Sequence, residues 1–188
     1  MRRALAAALI GAALLSSATP LVAQDVRERA APEFKARLGT LIKGRCHMDY
    51  CSWFSIEKAD YLGATEKGWL FAVTSRGWQS HHPDGYDKRA PRKGGDEDLS
   101  WVFCSKTHAA IIEKDGDKYQ ASALAPGDSE KQAGALVNAM TFYYAACHNV
   151  AVDDVFRAAG DLARRLGYPA KAPERELSVS APEDALRW

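Results

Sequence analysis

No charge of one sign dominates this chain. Twenty-five basic residues stand against 24 acidic ones among 188, a formal net charge of +1. That balance excludes the broad cationic face on which nucleic-acid binding depends. Apolar stretches are short. The N-terminal run Ala4–Leu15 has 12 residues, too few to cross a hydrocarbon core of ~30 Å at 1.5 Å per residue. The spacings that mark common catalytic and cofactor sites are missing as well: there is no H-E-x-x-H, no G-x-x-x-x-G-K-[ST], no G-x-G-x-x-G, no C-x-x-C and no G-x-S-x-G. Disorder is excluded by the opposite kind of evidence, since 47% of residues are hydrophobic and 10% aromatic.

What is present begins with an address. Arg2 and Arg3 precede the apolar run, and small or polar residues follow it (Ser16, Ser17, Ala18, Thr19) before Pro20-Leu21-Val22-Ala23. A basic start, an apolar middle and a small-residue end are the three parts of a secretory signal. Residues 1–23 therefore read as a removed signal peptide and residues 24–188 as a single domain. No cysteine lies near the cleavage region, which argues against a lipid-anchored form. Cleavage after Ala23 removes two basic residues and no acid, so the charge passes from 25 against 24 to 23 against 24.

All four cysteines (Cys46, Cys51, Cys104, Cys147) lie beyond the signal. An even count in an exported chain points to two disulfides. Three pairings are open, and the favoured one is Cys46–Cys51 with Cys104–Cys147. The rival is a metal site built on Cys46-His47 and Cys147-His148, but neither pair has the C-x₂-C spacing of structural zinc.

Along the rest of the chain, Phe34, Leu38, Leu41 and Ile42 follow Pro32 at helical spacing, with Gly44 as a stop. Tyr50–Ile56, Gly68–Trp78, Ser100–Ser105, Ala109–Glu113 and Tyr119–Leu124 read as strands, and Asp115-Gly116 as a hairpin turn. Ser129 and Gln132 fit a capping box ahead of an apolar stripe of Ala133, Leu136, Val137, Met140, Tyr143 and Cys147. Asp153 heads a second stripe (Val155, Phe156, Ala159, Leu162, Leu166) that Gly167 ends, and Leu177-Ser178-Val179 reads as a short strand. The expected fold is α+β: an antiparallel meander of about four or five strands with one helix before it and two after it.

Three features are candidates for function. The stretch Arg76–Leu99 holds four glycines, two prolines and many charges, and reads as a long loop between strands. Within it His81, His82 and Asp84 are of metal-ligating type. Four of the five tryptophans fall in the meander; if Trp69 faces the core, Trp53, Trp78 and Trp101 are left for the opposite face, where flat rings with Tyr86 would capture a ligand. Ser105, Lys106 and His108 are nucleophile, base and acid types in close succession, but strand alternation sets Ser105 apart from the other two.

The run Trp101-Val102-Phe103-Cys104-Ser105-Lys106, with Cys147-His148 and Pro182-Glu183-Asp184-Ala185, resembles a group of uncharacterised exported bacterial proteins. That resemblance implies an envelope location and the same four-cysteine framework, and no activity, substrate or site residue. The functional expectation is an exported, periplasmic or secreted, disulfide-stabilised binding module without catalysis or cofactor. Its partner would be an envelope or host protein, which it would inhibit, or a cell-wall glycan. The alternative is a small periplasmic hydrolase or metal-binding protein that uses the loop histidines.

Overall fold

A computed structural model of the chain describes residues 34–131, 134–152, 155–158, 160–172 and 177–188. The signal region, Pro32, Gln132, Ala133, Asp153 and Ala159 lie outside the described residues. Six antiparallel strands form one sheet in sequence order: β1 (Ile42–His47), β2 (Tyr50–Thr65), β3 (Gly68–His81), β4 (Arg92–Cys104), β5 (Ala110–Asp115) and β6 (Lys118–Ala123). The helices follow it: α1 (Val137–His148), α2 (Val155–Ala158) and α3 (Asp161–Arg165), with a 3₁₀ turn at Pro182–Arg187. Among the described residues no helix is long and apolar enough to cross a membrane.

Five expectations need correction. The stripe from Val155 to Leu166, expected as one helix, holds the two short helices α2 and α3, so three helices follow the sheet where two were expected. The meander has six strands, since β1 lies where the helical spacing predicts the end of a helix. The segment from Phe34 is not helical. Its Lys35 and Arg37 N–H groups donate to the Cys147 and Ala145 carbonyls near the end of α1, and Gly39 N–H donates to the Ile56 carbonyl. Helical spacing was real, but the segment satisfies its backbone against other elements, including carbonyls that a helix end leaves free. Most of Arg76–Leu99 is strand: β3 runs to His81, β4 starts at Arg92, and only ten residues, 82–91, connect them. Finally, Leu177–Val179 forms no strand; its apolar side chains pack on the sheet instead.

Alternation along the strands divides the core in two. One face carries Ile56, Val73, Val102, Cys104 and Ile111 against Met140, Tyr143, Tyr144 and Cys147 of α1. The other carries Leu70, Phe103, Ala110 and Ile112, covered by Leu177, Val179, Ala185 and Trp188. Trp188 meets Phe103 edge-on at 5.6 Å between ring centroids. Register shifts at Ile56/Lys58 and Tyr61/Gly63 are bulges that let the 16-residue β2 bend.

Both expected disulfides are formed. Cys104–Cys147 ties the end of β4 to the last turn of α1, fully buried at both ends. Cys46 and Cys51 face each other across the β1–β2 hairpin and are joined. The two turn residues between those strands, Met48 and Asp49, have φ of 49° and 62°, a conformation that usually selects glycine or asparagine. The adjacent disulfide holds that turn closed.

Candidate functional site

The paired ends of β2, β3 and β4 near Tyr50, His81 and Arg92 carry aromatic residues singled out by sequence. Trp53 and Trp78 are register partners on β2 and β3, so their side chains share a face. Both are half-buried. The Trp53 indole N–H donates to Ser80 Oγ at 2.7 Å, and Ser80 Oγ lies 2.7 Å from His82 Nε2. The Arg92 guanidinium sits 5.0 Å from the Trp53 ring centroid and the Lys43 ammonium 5.8 Å, within the range of cation–π attraction.

Trp78 is placed by glycine. The register slips between Gly77 and Trp78, so that Gly95 is an extra residue on β4. Gly94 and Gly95 have φ of 108° and 106°. A Cβ on Gly95 would stand 2.8 Å from Trp78 Nε1, and one on Gly94 would stand 2.8 Å from the Gly77 carbonyl oxygen. Only glycine permits this close approach of strand and ring. Gly95→Ala is therefore expected to push the indole out of place, at a stability cost of about 1–3 kcal/mol. Near-ultraviolet circular dichroism checks this: a tryptophan spectrum unchanged from wild type contradicts it.

The connection 82–91 folds back on the β1–β2 hairpin. His82 N–H donates to the Asp49 carbonyl at 2.6 Å, and Asp49 N–H donates to the Tyr86 hydroxyl oxygen at 3.1 Å. His81 points elsewhere and stacks on Tyr50 with centroids 4.6 Å apart. Together these parts enclose an open cleft of about 890 Å³. Its walls include Trp53, Trp78, Tyr50 and His81, with Gln79, Lys93 and Asp96 as polar groups.

The three expected contact tryptophans and Tyr86 thus separate. Trp53 and Trp78 line the cleft; Tyr86 braces the loop behind it; Trp101 lies in the other cluster, edge-on to Tyr119 at 5.4 Å. Tyr50, Gln79, Lys93 and Asp96 come to one place only through the register of three strands, which the sequence does not display. Alternation within the hairpin was the signal available.

The chemistry-bearing residues are otherwise engaged. His81, His82 and Asp84 do not converge, and among the described residues no group of three His, Cys, Asp or Glu side chains could hold a metal. Ser80 and His82 have the separation of a nucleophile and its base. However, Ser80 is 2% exposed, its oxygen accepts a hydrogen bond from the Trp53 indole N–H, and His82 Nδ1 has no partner among the described residues, hence no carboxylate to orient it. That arrangement braces Trp53. Residues 105–108 lie in a turn, not a strand. There Ser105 Oγ donates to the Lys67 carbonyl and accepts from the His108 N–H at 2.8 Å, while Lys106 lies 5.2 Å from the Phe34 ring and 4.9 Å from that of Tyr168.

No protein-family model, curated protein or solved structure matches this chain.

Proposed function

We propose that the chain is an exported, non-catalytic binding module whose distal cleft captures an oligosaccharide of the cell envelope. The observation that carries this reading is the prepositioned indole of Trp78, seated by Gly94 and Gly95 in a cleft that also holds the Trp53 ring and the Gln79 amide, Lys93 ammonium and Asp96 carboxylate. Sugars present apolar C–H faces and a rim of hydroxyls, so flat rings and mixed hydrogen-bonding groups are the matching chemistry. A volume of about 890 Å³ falls within the common range of small-ligand clefts. Two disulfides support an oxidising destination, in keeping with the signal-like N-terminus.

The disulfide-intact protein, titrated with β-1,4-linked N-acetylglucosamine tetramer and with muramic-acid-containing disaccharide, is expected to show saturable tryptophan fluorescence change and heat. Trp78→Ala is expected to weaken binding at least tenfold, about 1.4 kcal/mol or more, measured on variant protein whose far-ultraviolet circular dichroism matches wild type. Absence of saturable binding to both sugars, or equal affinity in Trp78→Ala, would reject the proposal.

A further inference from the structure

The two disulfides stand in different surroundings. Cys104 and Cys147 belong to the core between the sheet and α1, whereas neither Cys46 nor Cys51 belongs to either core cluster. Cys51 is fully buried, but Cys46 is partly exposed on β1, the strand at the edge of the sheet. The register of β1 on β2 slips between Lys43 and Cys46, and α1 pins that slip. Asn138 Oδ1 accepts the Arg45 backbone N–H at 2.7 Å and lies 2.8 Å from Ser52 Oγ. Past the slip only two register pairs remain, Cys46 with Cys51 and His47 with Tyr50. They close on Met48 and Asp49, both at positive φ, a conformation unfavourable for most residues that carry a Cβ. The bond thus clamps a short, strained tip whose root is fixed separately. That tip in turn holds the loop 82–91: the Asp49 carbonyl accepts the His82 N–H, and Asp49 N–H donates to the Tyr86 hydroxyl oxygen.

We infer that Cys46–Cys51 is a site of reversible exchange with a dithiol, and that its opening frees the loop 82–91 while the core and Cys104–Cys147 stay closed. Exposed and strained disulfides exchange more readily than buried ones. One thiolate of the dithiol attacks Cys46 Sγ, on the exposed side, and forms a mixed disulfide. The Cys46–Cys51 bond breaks, and Cys51 leaves as a thiolate that takes up a proton. The dithiol's second sulfur, as thiolate, then attacks its own partner in the mixed disulfide, and Cys46 leaves in the same way. The protein gains two electrons and two protons, and the dithiol ends as a disulfide. With the clamp open, Met48 and Asp49 relax from positive φ, and Asp49 withdraws from His82 and Tyr86. Opening is local because Asn138 still holds the root of the hairpin. Pro83 and Pro91 of the loop line the distal cleft, so exchange alters a wall of that cleft whatever ligand it takes. The inference stands independently of the sugar reading.

Folded wild-type protein at neutral pH, titrated with dithiothreitol, quenched by alkylation and mapped by mass spectrometry, tests this without any sugar. Cys46 and Cys51 are expected to be alkylated together, at a dithiothreitol concentration at least about tenfold below that which labels Cys104 and Cys147. In the selectively reduced protein, hydrogen exchange at the His82 amide is expected to rise at least about tenfold. The Leu124 amide, which donates to the Ala109 carbonyl, is expected to keep its protection. Reoxidation with glutathione disulfide is expected to restore the slow exchange at His82. The double variant C46S/C51S is expected to exchange fast at His82 with no reductant present; the wild-type arms need no variant to fold. Labelling of all four cysteines together, unchanged His82 exchange in the selectively reduced protein, or loss of Leu124 protection alongside it would each overturn the inference.

Discussion

Replacing Cys104 and Cys147 together by alanine is expected to lower stability by about 4 kcal/mol, the chain-entropy value for a loop of 43 residues. Against a total of about 5–15 kcal/mol for a domain, that loss is large. The position of the bridge adds to it. Both sulfurs are buried at the junction of β4 and α1, among Phe34, Trp69 and Tyr143, so alanine also leaves a void that the packed surroundings fill poorly. Cys46–Cys51 closes a loop of only five residues, and removing it is expected to cost about 2 kcal/mol. Its effect falls on the Met48-Asp49 turn and, through Asp49, on the loop 82–91. Urea unfolding of both double variants at neutral pH ranks them. A smaller loss at Cys104–Cys147 than at Cys46–Cys51 would mean that the helix is held to the sheet by packing alone.

Acid is expected to destabilise the protein through His148. This residue, half-buried at the end of α1, lies among Phe34, Tyr143, Tyr144 and Tyr168, whose ring centroids are 5.5–6.3 Å from its own. Burial first, and then the positive charge of Lys106, lower its pKa from 6.5 to about 4. A relay fixes its proton. Tyr143 OH donates to the Ser105 carbonyl at 3.0 Å, Tyr168 OH donates to Tyr143 at 3.1 Å, and His148 Nε2, 2.5 Å from the Tyr168 oxygen, is left as a donor. Above pH 6.5 the imidazole is neutral in folded and unfolded chains alike, so it adds no pH dependence. Between pH 6.5 and about 4 the unfolded chain takes up a proton that the folded one refuses, and stability falls as pH falls. Discounted for partial exposure, the loss is about 1–2 kcal/mol by pH 4.5. His148→Gln, which keeps a donor at that place, is expected to remove this component of the slope. Equal slopes in variant and wild type, from urea midpoints between pH 7 and 4.5, would contradict it.

Much of the meander is legible in the residues. Gly68–Trp78 alternates, Asp115-Gly116 breaks a strand, and β2, β3, β5 and β6 follow. Gly116, with φ of 59°, takes the turn conformation that its lack of a side chain allows. What escapes the sequence has physical reasons. β1 is hidden because its turn uses Met48 and Asp49 where glycine is the usual sign, and a disulfide holds the turn. The outer halves of β3 and β4 read as a loop because Arg76, Gln79 and Glu97 meet water there and polarity no longer alternates. Gly94 and Gly95, apparent loop formers, make the bulge that seats Trp78.

The site was half legible for the same reason. Counting tryptophans finds Trp53 and Trp78, because aromatic excess is a property of composition. Nothing in composition joins Tyr50 to His81 or Gln79 to Lys93; those pairings depend on the register of β2, β3 and β4. Trp101 looked equivalent to Trp78 in the sequence, yet register takes it to the cluster closed by Trp188.

The most direct measurement is a titration of ¹⁵N-labelled protein with the N-acetylglucosamine tetramer, followed by nuclear magnetic resonance. The expected result is that the Trp78 indole N–H, the Gln79 side-chain amide and the backbone of Gly94 and Gly95 shift together and saturate, while the Trp69 and Trp188 indoles stay in place. Saturation without movement at Trp78, or the largest shifts around Trp101 and Trp188, would contradict the distal cleft as the site of capture.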